Sequence, residues 1–150
     1  MATKAQRLQQ AGGVVLLLVA MIHTFGHAVT TPPEMTDLIA LEQRMAEVHI
    51  DMGLGEAWAP SMDGVVKSLS LMMSLALVFM GLANLLACHG EPGADGRIAQ
   101  RLAILTAVVN AALVALFAWY RIAPPTITLA VAEIFFILAG LLRARGAARV

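Results

Sequence analysis

Four long apolar runs decide what this chain can become. They cover about residues 11–29, 64–88, 102–120 and 126–142. A helix crosses the hydrocarbon of a bilayer in about 20 residues. Backbone groups there find no water, so each run must pair its own N–H and C=O groups, as a helix does. Strand-like alternation is absent from all four. A soluble reading fails on charge, because hydrophobic residues make up 59% of the chain and charged residues 13%. Soluble domains carry about twice that share. The fold class expected is an all-α membrane protein, an antiparallel up-down four-transmembrane-helix bundle forming a single integral membrane domain over residues 1–150.

Charge and cysteine narrow the function classes. Ten Lys and Arg balance ten Asp and Glu, so no basic field draws in polyanions and nucleic acid is not an expected partner. Cys88 is the single cysteine, which excludes a disulfide framework and a Cys-rich zinc site. Lys4 and Arg7 before the first run, with Gly26-His27-Ala28 at its end, resemble a signal peptide. The expectation is nevertheless a retained span.

Basic residues set orientation. Lys4 and Arg7, Arg97 and Arg101, and Arg143, Arg145 and Arg149 fall on one side of four alternating spans, against Arg44, Lys67 and Arg121 on the other. Both termini are therefore expected in the cytoplasm of a bacterial inner-membrane protein. Glu91–Gly96 and Ala123-Pro124-Pro125 read as short turns, which implies antiparallel neighbours.

The connection between spans one and two is longer and patterned. Apolar residues recur at Met35, Leu38, Leu41, Met45, Val48 and Met52 in steps of three or four, the period of an amphipathic helix. An external helix over about residues 33–52 is expected, begun by Pro32-Pro33 and stopped by Gly53 and Gly55. It would lie on the membrane surface or across the top of the bundle. Glu42 and His49, seven apart, project within its apolar face.

Ionisable groups within spans are costly and mark function by default. His23 and His27 end span one four residues apart and share a helix face. Asp63 and Lys67 open span two with the same spacing, and Ser70, Ser74 and Gly81 continue that face. Span four carries Glu133, and span three contributes Thr106 and Asn110. At about 1.5 Å per residue, His27 and Lys67 lie about 5 Å inside the outer boundary, His23 and Ser70 about 10 Å, and Glu133 about 14 Å. Apart from Ser74, Asn84, Thr106 and Asn110, the inner half reads as apolar. An outer-half pocket is the economical expectation, with His23, His27, Lys67 and Glu133 carrying chemistry and Asp63, Ser70, His49, Glu42 and Asn110 lining it.

Three functions would use that pattern. The leading one is binding of a small lipophilic ligand drawn from the membrane lipids, and its conversion by acid/base chemistry if the protein is an enzyme. Imidazole moves protons near neutral pH, and a carboxyl can donate a proton or stabilise a developing cation. The second is a transition metal or haem held by His23 and His27, since histidines four apart on a helix can share one metal. The third is an accessory subunit in a homo-oligomer or larger membrane complex. A purely structural account also stands. Asp63–Lys67 is then an interfacial ion pair, and Ser70, Ser74 and the stripe Ala107, Ala111, Ala115 serve close helix packing.

The stretch His23-Thr-Phe-Gly-His27, followed by Pro32-Pro33-Glu34 and by Ser61-Met62-Asp63, resembles an uncharacterised bacterial family of small four-span membrane proteins. Members have a His-Thr-x-Gly-His stretch ending span one. The resemblance covers most of the first two spans and the loop between them. It implies the four-span topology and the importance of His23 and His27, and no activity.

Overall fold

The computed structural model describes residues 3–28, 34–51, 53, 55, 59–89 and 95–147. These form five helices: α1 (Lys4–Ala28), α2 (Thr36–Glu47), α3 (Met62–Ala87), α4 (Asp95–Trp119) and α5 (Ala123–Ala147). Four of them contain stretches long and apolar enough to cross a membrane: Lys4–Gly26, Met62–Ala87, Gly96–Trp119 and Ala123–Arg145. The chain is thus all-helical with α2 between spans one and two, as its apolar pattern implies.

The helices extend beyond the apolar runs because polar residues cap them. Thr3 and Gln6 form a reciprocal capping box. The Thr3 N–H donates to Gln6 Oε1 at 2.7 Å, and the Gln6 N–H donates to Thr3 Oγ1 at 3.2 Å. Helix α1 therefore starts seven residues before the apolar run, and this brings Gln9 into the helix. Ser61 caps α3 by accepting the Gly64 N–H at 3.1 Å. Pro124 and Pro125 sit in the first turn of α5, where the missing N–H groups would have had no helical partner.

The turn between α4 and α5 is a Schellman motif. The Ile122 N–H donates to Phe117 O at 2.9 Å and the Arg121 N–H to Ala118 O at 3.0 Å. Arg121 takes the left-handed φ of 57° that this motif requires. A side chain there costs about 1–2 kcal/mol, partly offset by the entropy a glycine would lose. Arg121→Gly is expected to stabilise the protein by about 0.5–1 kcal/mol, and Arg121→Val to destabilise it, in thermal unfolding followed by circular dichroism in detergent.

The chain divides into two compact units, Met1–Ala20 with Ala76–Val150, and Met21–Leu75. The first is a bundle of the early part of α1, the later part of α3, and α4 and α5. Helices α3, α4 and α5 each bury one stripe at steps of three and four: Leu77, Gly81 and Asn84 from α3, continued by Cys88 just past its end, Ala99, Ala103, Thr106 and Asn110 from α4, Leu129, Ala132, Phe136 and Ala139 from α5. This is the seam spacing of antiparallel bundles. Ala111 and Ala115, expected to pack, are exposed. The stripe that packs in α4 lies over Ala99, Ala103, Thr106 and Asn110. Large apolar residues point outward, Phe79 being 73% and Leu86 72% exposed, as lipid-facing surfaces do.

Helices α1 and α3 touch through glycine. A Cβ at Gly81 would lie 2.8 Å from Gly13 O and 2.8 Å from Leu17 Cγ, and one at Gly13 would lie 3.0 Å from Gly81 O. Gln9 meets Asn84 where Gly13 meets Gly81, so numbers rise along one helix as they fall along the other.

In the second unit α2 is shorter than the apolar pattern suggests. Val48 leaves the helix with extended φ −81° and ψ 114°. The chain then pairs with the segment entering α3. The Ile50 N–H donates to Pro60 O at 2.9 Å, the Met62 N–H donates to Val48 O at 2.8 Å, and His49 bridges Ser61. Pairing with the α3 entry satisfies backbone groups that another helical turn would have used, and it removes His49 from the helix.

Candidate functional site

In the Met21–Leu75 unit, Lys67 Nζ donates to Asp63 Oδ2 at 2.8 Å, one turn apart at the head of α3. Glu42, exposed on α2, acts on the same ammonium electrostatically. So Glu42, Asp63 and Lys67 share one locality. His49 does not project from α2 beside Glu42 as its seven-residue spacing suggested. It lies past the helix end, exposed, with Nδ1 3.1 Å from Glu47 O. With Asp51 it lines an open cleft completed by Gly53, Gly55 and Ala59. Ser70 is half-buried on α3 and His23 half-buried on α1. The backbone of His27 lies in α1 one turn beyond His23, and its side chain lies outside the described residues. Among the described residues no three His, Cys, Asp or Glu side chains are grouped so as to hold a metal ion.

The bundle unit holds the other expected residues. Asn110 on α4 is fully buried, and Glu133 on α5 is half-buried. The Asn110 amide nitrogen donates to Leu129 O at 2.8 Å and to Glu133 Oε2 at 3.0 Å. Both partners are acceptors, which fixes which way the amide points. Its two hydrogens are then used. Asn110 Oδ1 remains buried without a hydrogen-bond partner among the described residues. Glu133 lies ten residues into α5, about 15 Å along the helix, within the stretch long and apolar enough to cross a membrane. The Asn110–Glu133 pair is therefore rich in acceptors, short of donors, and set within the spanning segments. Such a pair is completed by a group that brings a hydrogen-bond donor.

A second polar cluster of this unit ties all four spans together. Gln9 Nε2 donates to Asn84 Oδ1 at 2.7 Å and to Ala99 O at 3.0 Å. Asn84 Nδ2 donates to Thr106 Oγ1 at 2.7 Å and to Met80 O at 2.8 Å. Arg143 Nη2 donates to Gln9 Oε1. Gln9 and Asn84 are fully buried and Thr106 nearly so. The half of the spans read from sequence as nearly apolar holds the densest hydrogen bonding among the described residues. Its sequence signal was the recurrence of Gln9 four residues before Gly13 and Asn84 three after Gly81, which continues the packing stripe of each helix. Cys88 joins at the edge. Burial pushes its thiol up from the usual value, while the positive charge of Arg143 pulls the other way. A buried thiol held protonated is a poor nucleophile. The Gln9 and Asn84 amides satisfy each other within the cluster, which acts as a clasp, while Arg143 Nη1 stays buried without a hydrogen-bond partner among the described residues.

Helices of this length and apolarity, with polar side chains gathered inside the bundle, define a multi-pass integral membrane protein. Comparison with protein-family models, with curated proteins and with solved structures returned no match.

Proposed function

We propose that this membrane protein binds a small lipophilic molecule carrying a hydrogen-bond donor, such as a hydroxyl or amine, at the Asn110–Glu133 pair. The observation that carries the reading is the buried, unpartnered Asn110 Oδ1 beside a half-buried carboxyl in the middle of two spans. A lone polar group in hydrocarbon costs several kcal/mol, about 2.5–3.5 for an acid at a helix centre on insertion scales. A ligand that donates to these oxygens removes that cost, and its apolar body replaces lipid against Val109, Val131 and Ile134, which are exposed on the same two helices. Asn110 holds Oε2, which leaves Oε1 of Glu133 to take a proton from the bound group or return it. Acid/base conversion of the ligand would begin with that transfer.

The proposed location is a bacterial inner membrane with both termini in the cytoplasm. Lys4 and Arg7 open α1, Arg97 and Arg101 lie in the first two turns of α4, and Arg143 and Arg145 close α5. With four alternating spans these fall on one side, where positive charge is retained.

Mass spectrometry of apolar molecules extracted from purified protein tests the reading. Wild type is expected to carry about one equivalent of a donor-bearing molecule, and Asn110→Leu and Glu133→Gln to lose most of it while keeping their helical circular dichroism. Equal ligand content in all three proteins, or only bulk phospholipid in wild type, contradicts it.

A further inference from the structure

We infer that α2 is a membrane-surface helix whose Met35, Leu38, Leu41 and Met45 face docks on the lipid bilayer beside the entry of α3. No residue of this 12-residue helix is buried. Met35 is 52% exposed, Leu38 42% and Leu41 52%, and Met45 is half-buried, so most of the apolar face is uncovered by the chain itself. At about 100° per residue these positions form one arc, with Asp37, Gln43, Arg44 and Glu47 on the other. That division places one side in the headgroup–acyl boundary and the other in water.

Two features of the same unit aim the apolar arc at the bilayer. The hydrogen bonds between Val48–Ile50 and Pro60–Met62 tie the end of α2 to the first residues of a spanning helix. This fixes α2 at the depth where α3 enters the membrane. Glu42, which projects within the apolar arc, acts on Lys67 six residues beyond Ser61. The exposed apolar surface of α3 continues there through Met62, Val66 and Leu69, so the α2 face extends a lipid-facing surface already present. Asp37, Glu42 and Glu47 outnumber Arg44 on α2, which suits a zwitterionic surface better than an anionic one.

The test uses the full-length chain with Cys88→Ser, single cysteines at Leu38→Cys, Leu41→Cys, Gln43→Cys or Glu47→Cys, and a small environment-sensitive fluorophore. The proteins are reconstituted in phosphatidylcholine vesicles. Brominated phosphatidylcholine is expected to quench positions 38 and 41 at least threefold more than 43 and 47, and aqueous iodide to show the reverse order. Equal quenching on both faces overturns the inference. So does protection of 38 and 41 from both quenchers, which would mean that protein, a second copy of the chain included, covers the face.

Discussion

Gly81→Val is expected to cost about 2–3 kcal/mol, the scale of overpacking a tight core, and to loosen the crossing of α1 and α3. Even the first carbon of the new side chain would sit 2.8 Å from the backbone oxygen of Gly13. A backbone oxygen cannot rotate away as a side chain can, so the helices must separate. Within a membrane there is little hydrophobic gain to hold them, because lipid is as apolar as the helix surface and close packing supplies the attraction. Separation also lengthens the Gln9–Asn84 hydrogen bond one turn along. Gly13→Ala is expected to act in the same direction with a smaller effect, its Cβ lying 3.0 Å from Gly81 O. Gly26→Ala is the control, since nothing lies within 4 Å of a Cβ there. Alanine in a helix is better than glycine by about 0.5–1 kcal/mol. Unfolding by sodium dodecyl sulfate, followed by circular dichroism, measures all three.

Asn84→Leu is expected to cost about 2 kcal/mol, near the upper end of intramembrane hydrogen-bond energies, because one side chain serves three helices. It accepts from Gln9 on α1 and donates to Thr106 on α4 and to the Met80 carbonyl in α3. Leucine is close in volume, so the loss is polar. Gln9 Nε2 keeps Ala99 O but loses its other partner, and a buried donor left unmade costs more than the bond itself returns. Gln9→Leu in the Asn84→Leu background is expected to cost less than the two changes added separately, since it removes the orphaned amide. The same detergent titration, run as a double-mutant cycle, reads that coupling. Strict additivity would show that the clasp is two unrelated contacts.

The four spans were legible because hydropathy and length are local properties, and the bilayer leaves helix as the main option. The ends were less so. Thr3 and Gln6 belong to the helix signal although they are polar, and a reading led by apolar runs begins α1 too late and leaves Gln9 outside. Helix α2 was legible from its period, but its end was not, because pairing of Val48–Ile50 with the α3 entry is a contact with residues ten or more positions away. That pairing also removed His49 from the face of Glu42. The Lys67–Asp63 bond follows from four-residue spacing alone. The Asn110–Glu133 bond does not, since it depends on how α4 and α5 are set in register by their turn. Sequence flagged both residues as costly in hydrocarbon and left their partner open.

A density map of the protein in nanodiscs of native lipid is the most direct measurement of whether the Asn110–Glu133 pair is a binding site. Ordered non-protein density within hydrogen-bond distance of Asn110 Oδ1 or Glu133 Oε1, with an apolar body lying along α4 and α5, is the expected result. Aliphatic side chains closing over both oxygens, or a protein donor satisfying them, would contradict it.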